Sequence, residues 1–134
     1  MTLVIDASAL IEVLTVNPKQ IPDLVTRVQA AEWMNAPHLL DYELHSVLRK
    51  LVAREAIPLR LAEDARGALQ RLRIGRYPLT STLSARVWEL RHSVSAHDAA
   101  YVALAEELAM PLVTTDRRLA DGLKGVSDVT VESY

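Results

Sequence analysis

Short β-branched runs alternate with longer stretches of helical periodicity along the whole sequence, and this alternation constrains the fold more than any other feature. Parallel strands need crossover connections, which helices supply. The pattern therefore predicts an α/β fold: a central parallel sheet of about four or five strands with helices on both faces. Strands are expected at Thr2–Ile5, Ala36–Leu40, Ile74–Pro78, Leu112–Thr115 and near Val129–Val131. Helical spacing covers Ala7–Leu14, Ile21–Trp33, Asp41–Glu55, Leu59–Leu72, Thr82–His92 and Ser95–Leu108, with a short helix after Asp116. Asp41–Glu55 is the clearest, since Leu44, Val47, Leu48, Leu51 and Val52 share one face. A length of 134 residues suits one domain, 1–134, with no repeat or linker.

With 50% hydrophobic and 24% charged residues the chain suits a compact protein. No apolar run approaches the roughly 18 residues of a membrane span. Met1 to Leu14 carries Asp6 and Glu12 without a basic start, so no secretory signal is expected and a cytoplasmic location is. The absence of cysteine excludes a disulfide framework, a thiolate zinc site and a cysteine nucleophile. A net charge of -2 gives no general attraction to nucleic acid. That role would fall to local clusters: Arg49, Lys50 and Arg54; Arg71, Arg73 and Arg76; Arg117 and Arg118. Each cluster also reads as the solvated face of a helix.

Four carboxylates stand out by position. Ligands of open α/β sheets gather beyond the carboxyl ends of the strands, and Asp6 and Asp116 each follow a strand directly. Either could equally be an N-cap. Glu43 borders the buried stripe of its helix near the N-terminal end, where helix stability alone also favours an acid. Asp98 shares the face of Tyr101 and Val102, and Ser95 with Asp98 has the spacing of a capping box. One site accounts for all four together. Clustered carboxylates repel unless cations neutralise them, and oxygen donors without thiolates select magnesium or manganese.

Rival chemistries fit less well. Asp6-Ala7-Ser8 contains no glycine, so neither a Walker loop nor a dinucleotide fingerprint follows the first strand. The second aspartate of an Asp-x-Asp phosphatase motif is Ser8 here. His38, His45, His92 and His97 are too scattered to form a ligand set, although His97 adjoins Asp98. Trp33, Tyr42, Trp88 and Tyr101 sit on or beside helical stripes and read as core or interface packing residues, with Tyr101 placed to reach the rim near Asp98.

These segments resemble a known family. Asp6-Ala7-Ser8, Glu43 on a mid-chain helix, the run from Ser95 to Ala105 and Val113-Thr114-Thr115-Asp116-Arg117-Arg118-Leu119 are similar, in order and over the whole chain, to the successive motifs of PIN domains. Among these they look most like the VapC-type toxins of toxin-antitoxin pairs. The resemblance implies a magnesium- or manganese-dependent endoribonuclease with Asp6, Glu43, Asp98 and Asp116 as its acids. Asp6 and Asp98 would be direct ligands, Asp116 next, and Glu43 a ligand or a base acting through water. Ser8 and Thr114 would be supporting hydroxyls, and Arg117 or Arg118 a phosphate contact. It further implies in-line attack by water, 5'-phosphate and 3'-hydroxyl products, a homodimer, and silencing by a small antitoxin. The alternative is a PIN-fold binding module with little or no turnover.

Overall fold

The computed structural model describes residues 2–134; Met1, the first residue of the expected 1–134 domain, lies outside the described residues. The elements run β1 (Thr2–Ile5), α1 (Ala7–Thr15), α2 (Pro22–Gln29), β2 (Trp33–Pro37), α3 (Leu39–Ala53), α4 (Leu59–Arg71), β3 (Ile74–Tyr77), α5 (Ser81–Glu89), α6 (Ala96–Leu108), β4 (Leu112–Thr114), α7 (Leu119–Gly122) and β5 (Val131–Ser133). A single 3-10 turn, Pro18–Gln20, joins α1 to α2. Among the described residues no helix is long and apolar enough to cross a membrane.

The five strands form one sheet in the order β3-β2-β1-β4-β5, and every pair is parallel. From β1 the chain steps outward to β2 and β3, then returns to the other side of β1 for β4 and β5. Right-handed crossovers place helices of the outward steps on one face and those of the return on the other. The packing agrees: α1 meets α3 and α4, whereas α6 is covered by α5 and lies over β1, β2 and β4. That sandwiched position explains why α6 is buried nearly all round, with Ala99 and Tyr101 to Ala105 inside. Leu3, Val4 and Ile5 of the central strand are fully buried.

Two expected boundaries move. The helix expected over Ile21–Trp33 stops at Gln29, and the strand expected at Ala36–Leu40 runs instead over Trp33–Pro37. Met34, Asn35 and Ala36 are all buried, so this strand lacks the alternation that marks a half-buried one, and Trp33 falls on the helical spacing by coincidence. Leu39 and Leu40 belong to α3, where Leu40 extends the buried row Leu44 and Leu48. The last strand is Val131–Ser133, held in register by Leu112 opposite Val131, rather than Val129–Val131. Trp33, Tyr42 and Trp88 are exposed rather than packed in the core.

Asn35 is a buried polar residue in the middle of the sheet. Its amide donates to the Leu3 carbonyl at 3.2 Å, and its oxygen accepts from the Tyr77 hydroxyl at 3.1 Å. Gly75 makes room for it: a Cβ there would lie 2.9 Å from Trp33 Nε1 and 3.1 Å from Asn35 Oδ1. Gly75→Ala is expected to cost about 1–3 kcal/mol by overpacking. Thermal unfolding checks this, and an unchanged midpoint would mean that Trp33 swings aside freely.

Candidate active site

The sheet order reverses at β1 and β4, so the chain leaves the carboxyl ends of these two neighbours in different directions and opens a crevice between them. Asp6 sits there as the N-cap of α1, its Oδ1 accepting from the Ala9 N–H at 2.9 Å and from the Ser8 hydroxyl at 2.7 Å. Its Oδ2 accepts from the hydroxyl of Thr114, the last residue of β4. Cap and crevice residue are thus one carboxylate. The Thr114 hydroxyl accepts the Asp116 N–H at 3.0 Å, and that of Ser8 accepts the Thr115 N–H at 3.1 Å. Each hydroxyl has one proton, already given to Asp6, so the two lace the ends of β1 and β4 together through the aspartate.

Asp6 is only 6% exposed. Burial raises its carboxyl above the usual aspartate range, hydrogen bonds from Thr114, Ala9 and Ser8 pull it back, and the charge of Asp98 pushes it up again. Asp98, in the first turn of α6, donates its N–H to the capping Ser95 hydroxyl at 3.1 Å. It too is raised, first by burial and also by the charge of Asp116, against the Ser95 bond and His97. The charge of Asp98 thus acts on Asp6, and that of Asp116 on Asp98.

Glu43 joins from α3. Its Oε1 accepts from the Tyr101 hydroxyl at 2.6 Å, and its Oε2 lies 3.4 Å from Nδ1 of the exposed His97. Tyr101 is buried, and burial first, then the charges of Glu43, Asp6 and Asp98, holds its hydroxyl protonated far above the usual tyrosine range. Among the described residues no three acidic or imidazole groups stand together as a ready ligand set. The four acids expected to converge therefore do not form one ready cluster: Asp6 and Asp116 are linked through Thr114, and Glu43 meets α6 at Tyr101 and His97. The donors nevertheless suit a hard cation: all are oxygens, and magnesium commonly takes one or two protein carboxylates and keeps several waters.

The remaining residues singled out in the sequence lie at the edge of this network or beyond it. Arg118 donates its N–H to Asp116 Oδ1 at 3.0 Å, while its guanidinium is 94% exposed with Nε 3.7 Å from the same oxygen. Arg117 lines a neighbouring cleft with Glu12, Asp23 and Tyr134. Arg76 is held by Asp41 through two bonds of 2.7 and 2.9 Å. His45 is engaged by the Asp41 carbonyl and Arg66. A cavity of about 630 Å³ opens at the other end of β4, where Arg86 is already bound to Glu106, and it contains none of the four acids.

The PIN domain family matches residues 3–122. Ribonuclease VapC9 of Mycobacterium tuberculosis is 44% identical over 132 residues, covering 96% of this chain and 97% of that protein. The chain belongs to the PIN-domain family. Ribonuclease VapC1 of the same organism is 42% identical over 118 residues, 87% of each chain. Among solved structures the PIN domain is similar to VapBC-5, a member of the VapBC family of toxin-antitoxin systems from Mycobacterium tuberculosis. The TM-score is 0.66 with 19% identity, over 99% of this chain and 98% of that one. In this PIN domain Tyr101 is the rim residue its place near Asp98 suggests, but nothing local shows that its hydroxyl meets a glutamate 58 positions earlier.

Proposed function

We propose that this PIN domain is a metal-dependent endoribonuclease acting as the toxin of a toxin-antitoxin pair. The observation that carries the reading is Asp6, nearly buried at the β1–β4 reversal and tied through Ser8 and Thr114 to the strand end that carries Asp116, with the charge of Asp98 acting on it. It occurs in a chain 44% identical to a ribonuclease over nearly its whole length. Asp6, Asp98 and Asp116 would hold Mg²⁺ or Mn²⁺, with Glu43 a further ligand or a base acting through water. A bound cation supplies Lewis-acid charge at the phosphodiester and a readily deprotonated water. Ser8 and Thr114 hold Asp6 in place, and Glu43, in the role of base, would accept the proton lost by the attacking water. Attack on phosphorus breaks the bond to the 3'-oxygen, which takes up a proton, leaving 3'-hydroxyl and 5'-phosphate ends.

The partners we assign are RNA as substrate, a second copy of the chain, and a small antitoxin protein, in keeping with the VapBC likeness. Arg118, exposed beside Asp116, is the side chain best placed to meet the substrate backbone. Arg118→Ala is expected to weaken RNA binding and to lower the salt-dependence slope by about one. An unchanged slope would remove it from the interface.

The decisive experiment incubates antitoxin-free protein with total RNA, with and without Mg²⁺ or Mn²⁺, beside Asp98→Asn, and maps the fragment ends. Metal-dependent cuts with 5'-phosphate ends, lost in the variant, are expected. Folded protein that binds metal and RNA yet never cuts would instead support the binding-module alternative.

A further inference from the structure

We propose that Tyr101 is a positioning residue of the cleavage site, its buried hydroxyl fixing the carboxylate of Glu43 against the first turns of α6, which carry Asp98. The inference rests on the ribonuclease reading and concerns how one of its acids is held. Glu43 projects from α3, and a glutamate loses substantial rotamer freedom when it is pinned. The pin comes from a different element. Tyr101 is 2% exposed, so its ring is fixed in the core and its hydroxyl is held with it. From there it donates to Glu43 Oε1 at 2.6 Å, in the short range of charge-assisted bonds.

A packing role alone does not account for the hydroxyl. The neighbouring buried positions on α6 are Val102, Ala103, Leu104 and Ala105, all apolar. A phenylalanine would fill the ring's space without bringing a polar atom among carboxylates. The hydroxyl instead lies where the charges of Glu43, Asp6 and Asp98 all act on it, and it stays a donor there rather than a proton carrier. One helical turn earlier, His97 touches the second oxygen of Glu43 at 3.4 Å, but it is exposed and its contact is looser. Tyr101 is therefore the rigid half of the clamp on Glu43 and His97 the yielding half.

The test compares Tyr101→Phe, which removes only the hydroxyl, in the wild-type and Glu43→Gln backgrounds, using a cleavable RNA oligonucleotide. Loss of an outer partner of an active carboxylate typically costs about 10- to 100-fold. The expected result is a fall of that size in kcat with KM unchanged, and no further fall when Glu43→Gln is already present. A second readout is the ¹³C carboxyl resonance of Glu43 in metal-free protein, assigned by its loss in Glu43→Gln. It should move in Tyr101→Phe and move less in His97→Ala. Equal losses in both backgrounds, or an unmoved resonance, would overturn the proposal. A wild type that cuts no RNA would sink the ribonuclease reading alone, and the resonance would still decide whether Tyr101 positions Glu43.

Discussion

Asp6→Asn is expected to abolish RNA cleavage, by about 10³-fold or more, while raising the melting temperature of the metal-free protein. The activity loss follows from charge, since an amide cannot neutralise a cation. The stability gain follows from burial. Asn keeps an oxygen for the Ala9 N–H and the Ser8 hydroxyl, and Thr114 can turn its proton toward Ser8, 3.2 Å away. What disappears is a buried negative charge whose carboxyl is raised by desolvation despite three hydrogen bonds. Because the folded state binds that proton more tightly than the unfolded chain, the wild-type aspartate favours folding less as pH rises through its raised value. The advantage of Asp6→Asn is therefore largest at neutral pH and shrinks as pH falls toward the ordinary aspartate value. Thermal unfolding of both proteins in chelator across this range measures it. Added Mg²⁺ should then stabilise the wild type and leave the variant unmoved. A variant that melts lower at neutral pH would show that the lost hydrogen-bond geometry outweighs desolvation.

Thr114→Val should show the second-largest effect and the opposite stability sign. Valine fills the threonine's volume but strips the hydroxyl that donates to Asp6 and accepts the Asp116 N–H. Leaving buried polar groups without partners costs about 1–3 kcal/mol. Losing an orienting partner of a functional carboxylate costs about 10- to 100-fold in activity. Since the Thr114 bond is the largest influence lowering the Asp6 carboxyl, its removal should move the titration of Asp6 to still higher pH. Carboxyl NMR of metal-free protein follows that directly. Retained activity and an unmoved Asp6 would mean that Ser8 and the α1 N-terminus suffice to hold the aspartate.

How far these features could be read in the sequence depends on the range of the interaction behind each. Asp6 and Asp116 were marked by local order alone, an acid directly after a β-branched run, and the parallel sheet placed both on one rim. Ser95 announced the start of α6 through its spacing to Asp98, and it caps that helix. The helical register of Trp33 misled because a strand buried on both faces has no alternation to set against it. The Tyr101–Glu43 bond was invisible for a different reason, since its two residues are ordinary members of two helices and meet only through packing. The resemblance of the motifs to PIN domains points to four acids, but it does not show that Asp6 serves as helix cap and as the carboxylate joined to Thr114 at once.

The placement of β4 beside β1 also governs when the site can exist. Asp6 and Thr114 stand 108 positions apart, yet the second oxygen of the carboxylate is held only when the threonine reaches it. A polypeptide leaves the ribosome from its amino end, at about 5–20 residues per second, so Asp6 emerges many seconds before its partner. Until Leu112–Thr114 slots in along the central strand, the emerging chain has neither the hydroxyl clasp nor Asp116. Incomplete translation products therefore lack the assembled rim, and any activity built on these acids arises only with a nearly finished protein.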